Sequence, residues 1–413
     1  MKILWITNNV MPRFAEKYGL QTSASGSWLI DWADKLSDEP CIDLAIAFIG
    51  GKTFIKDKIE NITYYCLPGN GKSMLFYSHK NENIWKQISA DFHPDIVHLH
   101  GTEYTHGLAF LRSNPDVKAV VSVQGVISRI ADVYFDGLPR FFTLRYFTFG
   151  EFFHLNSAFM RKLLYRKNSR YEQEIFNRCN YANVVNEWDR SLALLKNPDI
   201  RCFGIDYNLR DSFYSSPKWS IDKAHRHRIF TTPGGDTIKG LHILLKAIPI
   251  IKKVYNDVVV VVPGNDFYNC PSSGYEKYLR QLVNSLGIRE NVKTVGRLDE
   301  QQMRDMMLQS NLVVIPSAIE GTSLILREAM YIGVPCITTF RGGMADFVED
   351  KRNGFLYDFP EYQYLAARAI EVFADDQTAL KFSENSIEKA EQAHDRAENI
   401  KKIVKMYNQI MED

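Results

Sequence analysis

The sequence predicts an α/β protein built from two doubly wound parallel sheets. Three observations carry that expectation. Short apolar runs alternate with segments whose apolar residues recur at helical spacing, the pattern of parallel strands joined by crossover helices. The alternation stops once, over Asp211–Arg228, and then starts afresh. Several strand candidates also end in glycine, which lets the backbone turn sharply at the carboxyl edge of a sheet.

In the first half, Lys2–Thr7 reads as a strand and Gly26–Leu36 as a helix, with Trp28, Leu29, Trp32 and Leu36 on one face. Asp43–Phe48 and Ile62–Leu67 read as strands and Asn83–Phe92 as a helix. Asp95–His100 is a strand ending at Gly101, Tyr104–Arg112 a helix and Lys118–Gln124 a strand. After an insertion come the helix Ser169–Cys179, the strand Ala182–Val185 and the helix Glu187–Lys196. Asp211–Arg228 is polar and turn-rich and reads as an interdomain linker. The second half runs from the strand Arg228–Thr232 through the helix Leu241–Tyr255 to five consecutive valines, Val258–Val262, a strand buried on both faces. Gly274–Leu286 and Glu300–Gln309 are helices, with the strand Asn291–Val295 between them. Leu312–Pro316, Cys336–Thr339 and Gly354–Tyr357 are the last strands. From Glu361 onward the chain reads as helical, with Ala390–Met411 as one charged helix.

Composition sets the outer limits. A chain of 413 residues accommodates two or three domains, and the net charge of +1 gives no global attraction for nucleic acid or anionic membrane. Six scattered cysteines lack any C-x-x-C and read as small buried residues of a reducing compartment. The apolar run after Met1 is too short for a signal sequence, and no run approaches the roughly 18 apolar residues of a membrane helix. The expectation is a cytoplasmic protein, at most peripheral on a membrane.

The chemistry centres on one strand–loop–helix. After Leu312–Pro316, the residues Gly321, Thr322 and Ser323 fall at a helix start, where backbone N–H groups lack partners inside the helix and the dipole favours an anion. Glu320 and Glu328 bracket that start, a pattern that suits either a phosphate-bearing polyol or an ordinary capped helix. Gly234-Gly235 with Lys239 forms a second candidate phosphate turn, and Arg341-Gly342-Gly343 a third. Three such turns in one domain are expected to converge on one sheet rim. In the first half, His98 and His100 are assigned to opposite faces, His98 to the core and His100 to the ligand rim. Glu103 and His106 follow on the next loop. No G-x-G-x-x-G follows the first strand, and Walker A, H-E-x-x-H and Asp-rich metal patterns are absent.

The insertion Leu138–Arg170 carries Arg140, Arg145, Arg161, Lys162, Arg166, Lys167 and Arg170 against one acid, Glu151, with many aromatics interleaved. It suits a membrane surface or an acidic lipid-linked partner, and equally a helix pair packed by its aromatic face. Nothing else in the chain supports nucleic acid as its partner.

Glu320-(seven residues)-Glu328, set in S-x-x-E-G-T-S-L-x-x-x-E-A-M-x-x-G-x-P, resembles the E-x7-E signature of retaining glycosyltransferases of family 4. Lys239-Gly240 resembles that family's diphosphate loop, and Arg341-Gly-Gly with Asn353-Gly354 its closing segment. Asp95–Gly101 and Asn186–Arg190 resemble patterns of its bacterial polysaccharide members. The resemblance implies a GT-B fold, two Rossmann-like domains facing a cleft with a C-terminal helix crossing back to the first. The implied division is 1–215 for the acceptor, 226–390 for the nucleotide sugar and 391–413 for the helix. It implies metal-independent transfer from a nucleoside diphosphate sugar, with uridine as the expected base, to a glycan or polyprenyl-linked acceptor of a surface polysaccharide. Glu320 would bind the donor sugar and Glu328 the ribose. Gly234, Gly235, Lys239, Gly321, Thr322 and Ser323 would hold the diphosphate, and Arg297 and Leu298 the base. Asn9, Gly26, His100, Glu103 and His106 would meet the acceptor. The family often places Arg before the Lys, where Gly234-Gly235 stands, and His at the strand end where Gln124 stands. Gln124 accepts and donates hydrogen bonds but takes up no proton, which leaves His100 or the donor phosphate to share that task. A nucleotide-sugar epimerase, or a noncatalytic partner of another transferase, are the alternatives.

Overall fold

The computed structural model describes residues 1–21, 26, 28–148, 150–151 and 157–413. The described chain divides into two compact units. Unit 1 holds Met1–Ser128, Leu164–Asn208 and His394–Asp413; unit 2 holds Arg129–Leu163 and Leu209–Ala393.

Unit 1 is built on eight strands, β1 Lys2–Ile6, β2 Asp43–Gly51, β3 Ile55–Ile59, β4 Ile62–Pro68, β5 Ile96–His100, β6 Lys118–Ser122, β7 Tyr181–Asn183 and β8 Arg201–Phe203. Their order is β3-β4-β2-β1-β5-β6-β7-β8. Every neighbouring pair is parallel except β3–β4. The antiparallel β3 reads Ile-Lys-Asp-Lys-Ile, a charged edge that resists pairing with another chain. Strand order reverses between β1 and β5, so a crevice opens beyond their carboxyl ends, at Thr7–Asn9 and His100–Glu103. Helices α1 Trp28–Ser37, α2 His79–Phe92, α3 His106–Ser113, α4 Ala158–Arg178 and α5 Glu187–Lys196 supply the crossovers.

Unit 2 has six strands, β9 His225–Thr231, β10 Val259–Val262, β11 Val292–Thr294, β12 Ser310–Ile315, β13 Cys336–Thr339 and β14 Phe355–Tyr357. All pair in parallel, in the order β11-β10-β9-β12-β13-β14. Helices cover both faces, so β12 is buried at every residue and reads as one apolar run after Ser310 and Asn311. The reversal falls between β9 and β12. The connecting helices include α6 Leu241–Lys252, α7 Gly274–Leu286, α8 Glu300–Leu308 and α9 Leu324–Tyr331, followed by α10 Tyr362–Ala374 and α11 Asp376–Ala393.

The terminal helix α12 Arg396–Glu412 belongs to unit 1. There the Tyr407 hydroxyl accepts from Trp5 Nε1 at 2.9 Å and lies 2.7 Å from His98 Nδ1, which ties the helix to β1 and β5. The single helix expected over Ala390–Met411 is in fact two. His394 breaks it, fully buried with Nδ1 2.7 Å from the Tyr207 carbonyl oxygen, and Asp395 caps α12 through Glu398 N.

Three further expectations are corrected. The first part of Asp211–Arg228 is not a loose linker. Phe213 and Trp219 are buried in unit 2, where the Trp219 indole donates to the Ser310 carbonyl at 2.8 Å. Its polarity is local, and the two aromatic anchors override it. The insertion is not an appendage of the first half, since Arg129–Leu163 is part of unit 2 and its remainder continues into α4. Its residues 149 and 152–156, like Ser27 of the expected helix Gly26–Leu36, lie outside the described residues. Lastly, Cys41 and Cys270 are exposed; all six cysteines are thiols.

Candidate functional site

At the strand reversal of unit 2, three loops interlock. The loop after β9 makes one 3-10 turn, Thr237–Lys239, started by Asp236, whose side chain accepts from Ile238 N. Gly240 then takes φ +66° and opens α6. A Cβ on Gly240 would stand 1.8 Å from the Pro316 carbonyl oxygen, so the first loop touches the second backbone to backbone. Ala318 N donates to the Ile238 carbonyl at 2.7 Å. The third loop joins through Gly343 N, which donates to the Glu320 carbonyl at 2.9 Å. Gly342 sits at φ +76°, where a Cβ would lie 2.0 Å from that same oxygen.

This packing brings Lys239 to Glu320. The Lys239 ammonium donates to Glu320 Oε1 at 2.6 Å, and Ser317 Oγ donates to the same oxygen at 2.9 Å. Burial pulls the Lys239 pKa down, but the Glu320 carboxylate together with Asp236 more than offsets it, and the net shift is upward. Lys239 is therefore charged at neutral pH. Both side chains stay reachable, 34% and 14% exposed. Gly240→Ala is expected to force the first two loops apart, since both the left-handed φ and the 1.8 Å approach exclude a side chain. A circular-dichroism melt should show loss of about 3 kcal/mol or more, or no folded protein.

The anion-favouring helix start is present, with a different division of labour among its groups. Helix α9 begins at Leu324, and Ser323 is its N-cap, with Oγ accepting from Leu326 N at 3.4 Å. Ser323 is buried, whereas Gly321 and Thr322 are half-buried just ahead of it. Gly234 packs so closely on Leu241 that a Cβ would stand 2.2 Å from its Cδ2, while Gly235 faces open space. Arg297 and Leu298 follow β11, at the sheet edge two strands from β9. Arg297 is exposed, and Leu298 packs on the core.

Glu328 is 1% exposed. Both carboxylate oxygens accept from Arg210, Nε to Oε1 and Nη2 to Oε2, each at 2.6 Å. Burial pushes the Glu328 carboxyl up, with the Arg210 fork pulling the other way. Arg341, the cation of the third candidate phosphate turn, is committed instead to Asp136 at 2.7 Å and to the Phe359 carbonyl at 2.9 Å. Arg210 and Asp136 carry no signal in the sequence, and Ser317 enters there only as the first residue of the S-x-x-E pattern. Arg210 sits 118 residues from its partner, at the edge of a polar stretch, with no local signal.

In unit 1 the strand reversal holds Asn9, Gly26, Glu103 and His106. Gly26 takes φ +80°, and a Cβ there would meet Asn9 Nδ2 at 2.5 Å. Glu103 Oε2 accepts from Asn8 Nδ2 at 3.4 Å, and burial pushes its carboxyl up to about 7. His106 is buried with Nε2 3.2 Å from the Thr7 carbonyl, and burial lowers its pKa to about 4. Gln124 is half-buried just past β6. His98 and His100 do not point to opposite faces. Their rings stack with centroids 4.0 Å apart, because residues two apart on a strand share a face. That face is covered, so His100 is 1% exposed against Trp5 and Trp28 and is held neutral by burial. It does not reach a ligand rim.

Residues 222–389 match the family model described as glycosyl transferases group 1. That segment is a group 1 domain. It contains Lys239, Glu320 and Glu328. The N-acetyl-alpha-D-glucosaminyl L-malate synthase of Bacillus anthracis is 31% identical over 133 residues, covering 32% of this chain and 33% of that protein. The chain spans about a third of the length of the curated relatives it matches first. Sucrose-phosphate synthase from Thermosynechococcus elongatus superposes with a TM-score of 0.72 at 14% identity, covering 99% of both chains. Alr3699/HepE from Anabaena, solved in complex with UDP-glucose, gives 0.69 at 17% identity, covering 99% of this chain and 100% of that one. At such identities the likeness is one of fold. The two parallel-sheet units have the GT-B fold, with the group 1 domain in unit 2.

Proposed function

We propose that the chain is a retaining, metal-independent glycosyltransferase of family 4. It would move a sugar from a nucleoside diphosphate donor to a lipid-linked or glycan acceptor of a surface polysaccharide at the inner face of a membrane. The observation that carries this reading is the Lys239–Glu320 pair, locked where three glycine-turned loops meet at the strand reversal of the group 1 domain. As the bond from the sugar C1 to the phosphate breaks, the leaving diphosphate takes the electron pair. Lys239 and the backbone N–H groups of Gly235, Gly321 and Thr322 would stabilise that charge. Glu320, displaced from Lys239, would accept from the sugar hydroxyls, and Glu328 from the ribose. The acceptor oxygen bonds C1 from the face the diphosphate leaves. Alr3699/HepE was solved with UDP-glucose, which supports uridine as the first base to try. Incubation with a panel of nucleotide sugars, followed by assay for slow donor hydrolysis and thermal shift, tests the reading. If no nucleotide sugar binds or is hydrolysed, it is wrong.

The acceptor groups would lie in unit 1, at Asn9, Gly26, Glu103 and Gln124. Glu103 would take the acceptor proton, since His100 is sealed away and Gln124 cannot. The rate should therefore rise with pH through about 7 as Glu103 ionises, and Glu103→Gln should flatten that limb. Stability runs the other way. A carboxyl whose folded pKa is raised stabilises the fold at low pH and loses that contribution as pH climbs toward 7. Melting temperature should thus fall over the window in which activity rises, and Glu103→Gln should remove both trends.

A further inference from the structure

We propose that the outer face of Pro139–Phe147, in unit 2, docks on an anionic lipid bilayer. Phe141, Leu144 and Phe147 would enter the interface, while Arg140 and Arg145 meet the headgroups. This rests on the reading above, in which transfer takes place at the inner face of a membrane, and it names the surface that would meet that membrane.

Phe141, Leu144 and Phe147 are 65%, 75% and 51% exposed, and Phe159 beside them is 50% exposed. Large apolar side chains gathered on one short segment mark an interaction surface, whereas single ones do not. Their exposure does not come from a loose loop, because the backbone beneath them is fixed to α7. The Tyr146 hydroxyl donates to Gln281 Oε1 at 2.7 Å, and Lys277 Nζ to the Phe147 carbonyl at 3.1 Å. Glu151 accepts from Thr148 N at 2.9 Å and Gly274 N at 2.8 Å. A Cβ on Gly274 would stand 2.4 Å from the Tyr146 carbonyl oxygen, so the segment lies directly on the start of α7. Phe142 and Tyr146, four apart on one helical turn, point inward onto Tyr278 with ring centroids 5.7 and 5.2 Å away. The same turn sends Phe141 and Leu144 outward. A cavity of about 380 Å³, lined by Phe142, Tyr146, Phe147, Ala158, Phe159 and Tyr275, opens among these side chains.

Charge decides the partner. Gly137–Gly150 contains no acid and two arginines. Arg140 and Arg145 are exposed, stack on their neighbours Phe141 and Tyr146, and have no carboxylate partner among the described residues. A self-association face would bury both cations of each copy against their like, whereas an anionic bilayer neutralises them while accepting the apolar side chains. The chain's net charge of +1 makes this a local attraction and not a general one.

The test is flotation of the full chain with phosphatidylglycerol–phosphatidylcholine vesicles and with phosphatidylcholine alone. Wild type is expected to float with the anionic vesicles and not with the neutral ones, less so in high salt. Phe141→Ser/Leu144→Ser/Phe147→Ser should lower binding at least tenfold, and each of Arg140→Gln and Arg145→Gln about fivefold. All five positions are solvent-exposed, so melting temperature and donor hydrolysis in solution should be unchanged. Absence of wild-type binding to anionic vesicles, or full binding by the triple variant, would overturn the proposal. So would a wild-type dimer that the triple variant dissolves without any vesicle binding, because the face would then belong to a second copy. Donor hydrolysis is read without lipid, so its failure would count against the transferase and leave the flotation result standing.

Discussion

Glu328→Ala is expected to lower the melting temperature by about 10 °C and also to weaken donor binding. The thermal effect comes from what is left behind. Arg210 places two short N–H···O bonds on Glu328, and the two side chains are 19% and 2% exposed. Removing one member of a buried, bidentate pair strands the other charge in a place where water cannot fully solvate it, at a cost of about 3–5 kcal/mol. In a unit of this size each kcal/mol shifts the melting point by about 2–4 °C. A fall in nucleotide affinity for Glu328→Ala alone would therefore say little about the ribose. The double variant Arg210→Met/Glu328→Leu separates the two roles, because it removes both charges and keeps the volume filled. It should melt near wild type yet still bind uridine diphosphate poorly in a thermal-shift titration. Wild-type affinity in that double variant would take Glu328 out of the donor site. A wild-type melting curve for Glu328→Ala would show that the pair is not buried as described.

What was legible in the sequence was what local periodicity encodes. Five valines in a row, or Leu312–Pro316 followed by a glycine-bearing loop and a helix, fix a buried strand and its crossover with no knowledge of the rest of the chain. The parallel, doubly wound sheets follow from that alternation, and the fold matches solved GT-B proteins. Lys239, Glu320 and the Gly342 turn stood out because glycine at a strand end has a narrow set of uses. Features held by distant contacts did not stand out. The Arg210–Glu328 pair spans 118 residues, and Arg341 finds Asp136 across 205. The stretch from Ser212 to Trp219 looks like a linker until Phe213 and Trp219 are seen docked. The strand β3 alternates charge instead of hydrophobicity, so it gave no strand signal. His100 looked like a rim residue because strand ends usually reach the ligand, but the aromatic cover of Trp5 and Trp28 comes from elements remote in sequence.

Lys239→Ala, by contrast, should leave stability almost intact and remove turnover. The Lys239–Glu320 pair is partly open to solvent, and pairs of that kind contribute at most about 1 kcal/mol. The melting point should move by only a few degrees. In the transition state, however, Lys239 would meet charge building on the leaving diphosphate. Loss of one preorganised donor at such a position lowers kcat by about 10²–10³. Glu320 makes the test sharper. Its Oε1 holds the Lys239 ammonium at 2.6 Å, so a donor diphosphate would compete with a carboxylate for that cation. Glu320→Gln removes the competitor. It should therefore bind uridine diphosphate more tightly than wild type, yet turn over slowly, because the sugar loses its carboxylate partner. In Lys239→Ala/Glu320→Gln the gain in affinity should vanish, since no cation remains to be released. Saturating-donor kinetics and a uridine diphosphate titration on the four proteins of this cycle measure the coupling. A kcat for Lys239→Ala within about threefold of wild type would sink the diphosphate role. Equal affinities across all four proteins would mean that the ion pair holds loops together and does not face the donor.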